Sequence, residues 1–290
     1  MKIAIVGGTS TDTDPQTNYI QAFKTVYPKA IFEEIRFDYL VIEISKLQFE
    51  IYDWRTKTHL ADYDFVIFRG KIRRNSELAY AVSRYLIYKK TPFFNDYSNY
   101  RPSSKLAQAI SFFELGIPFI PTYYSINKTY LSEIGISRLE FPFIIKDNFG
   151  SHGDKNFIVK KSIELQKIIT DNIQVKFLIQ EFCPNDCDYR ILILGDEKPL
   201  IIKRTAVIGS HLNNTSQGAV AELQSDLPEA VVNNAHKIAS ALNMTLAGVD
   251  VLQNSQTGEY YFLEVNSQPQ LVSGAFIPEK LRRLGKLFQL

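Results

Sequence analysis

Three oxygen-bearing side chains, Asp250, Glu264 and Asn266, interrupt two apolar runs near the carboxyl end of the 290-residue chain. The runs are Ala247-Gly-Val-Asp-Val-Leu252 and Tyr260-Tyr-Phe-Leu-Glu-Val-Asn266. Branched and aromatic residues favour strands in both, and Asn254-Ser-Gln-Thr-Gly-Glu259 between them has turn chemistry, which predicts a hairpin. Glu264 and Asn266 are two apart and so share one face of their strand. A turn centred on Thr257 sets Asp250 directly opposite Glu264, with Cβ atoms roughly 5 Å apart. Two carboxylates that close, in a hairpin with such apolar flanks, repel and lose hydration, so a divalent cation is the expected third party. The donors are all hard oxygens, which suits magnesium. The competing arrangement, with both carboxylates solvated at an open sheet edge, fits these flanks poorly.

A second hairpin carries cations. Asp188-Tyr-Arg190-Ile-Leu-Ile-Leu-Gly and Pro199-Leu-Ile-Ile-Lys-Arg204 flank Gly195-Asp-Glu-Lys198, and a turn centred on Glu197 makes Arg190 and Arg204 face one another. Like charges so placed destabilise a sheet, and an anion between them, a polyphosphate or an acyl phosphate, is the simplest remedy. A turn offset by one residue would send the two to opposite faces. Upstream, Phe141-Pro-Phe-Ile-Ile-Lys146 and Phe157-Ile-Val-Lys160 are strands around a loop with Gly150, Ser151 and Gly153, whose backbone N–H groups can fold over phosphates or serve only as a turn. His152 within it is expected to be exposed, with no catalytic role. Lys105 lies at the start of a helix that ends at Gly116, where the helix dipole disfavours a cation; a bound anion and plain solvent exposure both account for it. The strand Lys176-Phe-Leu-Ile-Gln-Glu-Phe182 ends in Gln180, Glu181 and Phe182, a segment suited to reading an adenine edge with its backbone.

The elements that must position these residues follow from pattern. Met1-Lys-Ile-Ala-Ile-Val-Gly-Gly is a buried opening strand, and Asp14-Pro15 caps a helix with Tyr19, Ile20, Phe23 and Val26 on one face. Runs at 40–44, 49–52 and 64–68 are strands, and Ser76 to Tyr88 is a helix burying Leu78, Val82, Tyr85 and Leu86. This first unit closes near Asn95-Asp96 after another short strand. Pro118 and Pro121 mark a linker. Asp226 and Glu229 form a capping box for a helix with Val232, Ala235, Ile238, Ala239 and Leu242 on its core stripe, and Pro278 opens a last helix with Leu281, Leu284 and Phe288 inward.

Composition excludes several classes. An apolar fraction of 45% with 20 Phe and 16 Tyr supplies a core for about two domains, or one with lobes. A net charge of +2 gives no nucleic-acid footprint, and Lys71-Ile-Arg-Arg74 reads as a solvated turn. Two cysteines, Cys183 and Cys187, make neither a disulfide scaffold nor a zinc site. The amino terminus is neither signal peptide nor membrane span, which makes a cytoplasmic protein the default. Gly7-Gly8 lacks the remaining glycines of a dinucleotide turn, which argues against a nicotinamide cofactor.

Taken in order, Lys105, Lys146, the Gly150 loop, Gln180-Glu-Phe, Asp188-x-Arg190, Arg204, Asn214, Gly248-Val-Asp250 and Glu264-Val-Asn266 resemble the ATP-grasp superfamily, and within it the RimK-like carboxylate-amine ligases. The resemblance covers about 101–274. It implies a mixed α/β (α+β) fold: an amino-terminal pre-ATP-grasp domain over 1–98, then a two-lobed ATP-grasp fold, with a central lobe bearing the glycine loop over 99–175 and a carboxyl-terminal lobe bearing the metal site over 176–290. By position it implies that Lys105 and Lys146 contact ATP phosphates, that Glu181 and Phe182 border the adenine, and that Asp188 and Asn214 lie near the nucleotide. Asp250, Glu264 and Asn266 would bind two magnesium ions, which manganese can replace, while Arg190 and Arg204 hold the transferred phosphoryl group and the acyl phosphate. The implied activity is amide formation through an acyl phosphate, on an amino acid, a peptide or a protein side chain, with no nucleic-acid or membrane partner and with a homo-oligomer allowed but not specified. Two positions depart from the family pattern: Leu212-Asn213-Asn214 stands where relatives have Arg-Ser-Asn, and Gln270 follows Pro269 where they have Gly. Both lie where substrate should enter, and they motivate an alternative, a non-catalytic Mg-ATP-binding module.

Overall fold

The computed structural model describes residues 1–10, 16–99, 104–150, 155–205 and 220–288. The expected cap at Asp14-Pro15, the loop residues Ser151, His152 and Gly153, and the segment holding Leu212 and Asn214 lie outside the described residues.

The first unit runs β1 (Lys2–Val6), α1 (Gln16–Val26), β2 (Ile31–Ile35), β3 (Leu40–Ile44), β4 (Phe49–Asp53), β5 (Phe65–Phe68), α2 (Ser76–Lys89) and β6 (Phe93–Phe94). Its main sheet is parallel in the order β2-β1-β5-β6, while β3 and β4 form a separate hairpin. Strand β2 was not legible beforehand because two glutamates, Glu33 and Glu34, occupy its middle. Gly7 is needed for close packing: a Cβ there would lie 2.0 Å from the Arg69 carbonyl oxygen, so the exit of β5 fills the space after β1.

The central unit comprises α3 (Lys105–Glu114), β7 (Thr122–Tyr124), α4 (Lys128–Arg138), β8 (Phe143–Asp147), β9 (Asn156–Val159), α5 (Ser162–Asp171) and β10 (Phe177–Glu181). Its sheet has the order β7-β10-β8-β9, backed by Leu131 of α4 and Leu165 and Ile169 of α5. Since β10 pairs with β7 and β8, this sheet runs past residue 175 to Glu181.

The last unit contains β11 (Cys187–Leu194), β12 (Leu200–Thr205), β13 (Val220–Gln224), α6 (Glu229–Ala241), β14 (Leu246–Gln253), β15 (Tyr260–Asn266) and α7 (Ile277–Leu287), with the antiparallel order β13-β12-β11-β14-β15. Alternation along β11 divides its residues between two faces. Tyr189, Ile191 and Ile193 join Val249, Val251, Val265 and the buried stripe of α6. Leu192 and Leu194 join Leu200, Ile202, Leu281 and Leu284, and with them Ile3, Ile5 and Phe65 of the first unit, so one core links the first and last units.

The capping box expected for α6 is not formed. Pro228 is the residue before the helix and Glu229 its first, while Asp226 pairs instead with Lys198 at 2.8 Å. No helix among the described residues is long and apolar enough to cross a membrane.

Candidate active site

The face of β11 that is apolar at Leu192 and Leu194 becomes charged at Arg190 and Asp188, and the candidate residues collect there. Asp250 of β14 lies between Arg190 of β11 on one side and Glu264 of β15 on the other. The expected Asp250–Glu264 register is present, but its origin is a β-bulge. Val251 pairs with Phe262 and Asp250 with Glu264, so Leu263 is an extra residue on β15.

The expected Arg190–Arg204 register is not present. Arg204 stands opposite Asp188 and Arg190 opposite Ile202, because the turn is centred on Asp196 and not Glu197. Moving the turn centre by one residue shifts the pairing by two, so Asp188, Arg190 and Arg204 keep one face, contrary to the expectation that a one-residue offset would send the arginines to opposite faces. Carboxylates answer the charge: the Arg204 guanidinium donates to Asp188 at 2.6 and 2.9 Å, and Arg190 donates to both oxygens of Asp250 at 2.8 and 2.7 Å. Arg204 also approaches Asp250 at 3.3 Å. Burial tends to raise the Asp250 carboxyl, yet Arg190 and Arg204 outweigh it and hold it below the usual range. At Asp188 burial wins over the pull of Arg204, and its carboxyl is raised.

The two lysines arrive from the central unit. Lys105 is the first residue of α3, after the N-cap Ser104, whose hydroxyl accepts from the Ala107 N–H. Its ammonium donates to the Gly150 carbonyl, fixing the start of the glycine loop. Two residues not singled out in the sequence hold this arrangement. Asn148, just past β8, accepts the Leu106 N–H through its side chain and the Lys105 N–H through its carbonyl. Gln108 exchanges hydrogen bonds of 3.1 and 2.8 Å with the backbone of Val265, which lies between Glu264 and Asn266. Neither has a sequence signature, since a lone amide gives no clue to a partner 42 or 157 residues away. Lys146 is buried on β8, and its ammonium is pushed down to about 8 by burial and then by repulsion from Lys105, with Glu264 pulling the other way. Burial likewise lowers the Lys105 ammonium. Neither lysine forms an ion pair among the described residues, so two desolvated cations next to Glu264 make a place for an anion.

At the far end of β10, Gln180 is buried and donates to the Thr122 hydroxyl at 2.7 Å, while Glu181 is exposed and Phe182 half-buried. Beyond them, Ile120, Cys183 and Leu252 form a small apolar cluster with Tyr261 and Leu263 against it. Cys183 and Cys187 are free and buried.

Among the described residues no group of three or more His, Cys, Asp or Glu converges, so a cation site here needs the amide oxygen of Asn266 as third ligand. Asp250, Glu264 and Asn266 supply hard oxygens on one face, and Glu264 makes no ion pair among the described residues; the set fits magnesium.

Comparison with known proteins gives the family and the fold. The model of the RimK-like ATP-grasp domain matches residues 117–275, more than half of the chain. The alpha-aminoadipate–LysW ligase LysX of Sulfurisphaera tokodaii is 29% identical over 220 residues, covering 73% of this chain and 74% of that protein. Among solved structures, a Chryseobacterium gregarium RiPP-associated ATP-grasp ligase, in complex with ADP and a leader and core peptide, superposes with a TM-score of 0.69 at 12% identity, covering 100% of this chain and 97% of that one. D-alanine–D-alanine ligase from Bacillus anthracis, complexed with ATP, gives 0.65 at 20% identity over 98% and 92% of the two chains. With this domain matched over more than half of its length, the chain belongs to the RimK-like ATP-grasp family and is a ligase.

Proposed function

We propose that this ligase activates a carboxylate with ATP and joins it to an amine, with an amino acid or a peptide as substrate. The observation that carries the reading is the meeting of Asp250, Glu264 and Arg190 on one sheet face with the half-buried Lys105 and the buried Lys146 beside Glu264. The names of similar proteins support the substrate class: one joins alpha-aminoadipate to LysW, and another was solved with a peptide bound.

Amide formation from a free carboxylate is uphill in water. The carboxylate oxygen therefore attacks the γ-phosphorus, the bond to ADP breaks and ADP leaves with its electron pair. The amine nitrogen then attacks the acyl carbon, the C–O bond to phosphate breaks, and the amine proton leaves with phosphate or to water. Lys105 and Lys146 neutralise the ATP phosphates, helped by the N–H groups of Gly150, Ser151 and Gly153. Gln180, Glu181 and Phe182 border the adenine, with Asp188 and Asn214 near the nucleotide. Arg190 and Arg204, oriented by Asp250 and Asp188, stabilise the charge on the transferred phosphoryl group and on the acyl oxygen. Asp250, Glu264 and Asn266 would hold magnesium, as two ions that manganese can replace, and the metal would supply charge neutralisation at the phosphates. No side-chain nucleophile is required.

The reading further takes the protein as cytoplasmic and leaves a homo-oligomer open. Its test is trapping: with Mg-ATP and pooled amino acids and peptides, hydroxylamine should yield a hydroxamate of the activated carboxylate. Tight Mg-ATP binding with neither hydroxamate nor ADP from any pool would instead favour the non-catalytic module suggested by Leu212 and Gln270.

A further inference from the structure

Lys280 is a cation that the chemistry above does not use. It sits in the first turn of α7 with only 4% of its surface exposed, and α7 packs on β11, the strand of Arg190. Its ammonium donates to the Ser273 carbonyl at 3.0 Å, one of the three hydrogen bonds such a group can give. No carboxylate among the described residues pairs with it; the nearby acid of its own helix, Glu279, is taken up by Arg282 and Arg283. Burial, then repulsion from Arg190, lowers its affinity for a proton. Arg190 and Arg204 are matched by two carboxylates, Asp188 and Asp250, and Lys280, on a helix packed against the strand of Arg190 and close enough to feel its charge, adds a third cation. A buried charge without a counter-charge is costly, and an arriving anion offsets that cost. The phosphate-facing lysines lie on the other side of Asp250, next to Glu264. Lys280 also falls outside the matched residues 117–275.

We propose that Lys280 and Arg190 together form the subsite for the acceptor's carboxyl group, holding it as an anion beside the transferred phosphoryl group. The assignment rests on the ligase reading above.

Sulfate, a tetrahedral dianion, serves as the probe, with thermal unfolding and calorimetric titration of the full chain saturated with Mg-ADP. The wild type should bind sulfate. Lys280→Gln, which keeps a polar end but removes the charge, should weaken sulfate by about tenfold or more with Mg-ADP binding unchanged, and Lys280→Arg should restore it to within about threefold. Unliganded Lys280→Gln and Lys280→Met should melt no lower than wild type, because they remove a buried charge. Equal sulfate affinity in wild type and Lys280→Gln, or no sulfate binding to wild type in the presence of Mg-ADP, overturns the subsite. So does failure of both variants to fold, which is what a merely structural lysine gives. Absence of Mg-ADP binding to the wild type would instead remove the ligase reading on which the subsite rests.

Discussion

Gln108 closes two hydrogen bonds on the backbone of Val265, joining the helix that begins with Lys105 to the strand that carries Glu264 and Asn266. β15 is the edge of its sheet, and Gln108 satisfies outward-facing groups that another strand would otherwise pair. Replacing Gln108 with Ala leaves a buried N–H and a buried carbonyl without partners, which should destabilise the fold by about 2 kcal/mol. It should also weaken Mg-ATP binding, because Lys105 loses its tie to Glu264. Chemical denaturation and ATP titration on the same variant check both effects; unchanged ATP affinity would sever the link between α3 and the site.

The buried pair Asp188 and Arg204 gives a second prediction. Asp188→Leu leaves Arg204, 3% exposed, with its longer contact to Asp250 as its one ion pair among the described residues. The loss should be about 3–5 kcal/mol, and Asp188→Leu/Arg204→Met should recover much of it by removing the stranded charge. Urea unfolding of the single and double variants reads the difference. A double variant no more stable than the single would contradict the pairing.

Lys146 gives a pH dependence with a definite sign. Its ammonium titrates near 8 in the fold against an ordinary value of 10.5, so the folded chain binds fewer protons than the unfolded one between those limits. The cost of burying its charge is complete below pH 8 and is relieved as pH rises towards 10.5. Phosphate binding favours the charged form, so Mg-ATP should take up a proton when titrated near pH 8, and affinity should fall as pH climbs above it. Calorimetry in two buffers of different ionisation heat measures the uptake, and Lys146→Met should reduce it.

Much of this was legible in the sequence because the strongest signals were local. The strands from Leu40, Phe49 and Phe65, the helix from Ser76 and the final helix with Leu281, Leu284 and Phe288 inward all lie within a residue or two of their expected limits. Asp250 and Glu264 oppose each other as symmetry about Thr257 predicts, although the bulge at Leu263 produces that register. The arginine hairpin departs from the expected register by two residues because nothing local separates Asp196 from Glu197 as the turn centre; two residues preserve the face, so Arg190 and Arg204 still converge, through carboxylates and not against each other. Asn148, Gln108 and Lys280 were invisible because each acts through contacts that only the packed units create.

The most direct measurement is release of ADP and phosphate from Mg-ATP with pooled amino acids and short peptides, comparing wild type with Glu264→Ala. Glu264 lies opposite Asp250 and beside both lysines, so its loss should cost on the order of 3 kcal/mol in the barrier while leaving the fold intact. The account predicts pool-dependent release by wild type and at least about a hundredfold slower release by the variant. Wild-type rates in a folded Glu264→Ala protein would contradict it.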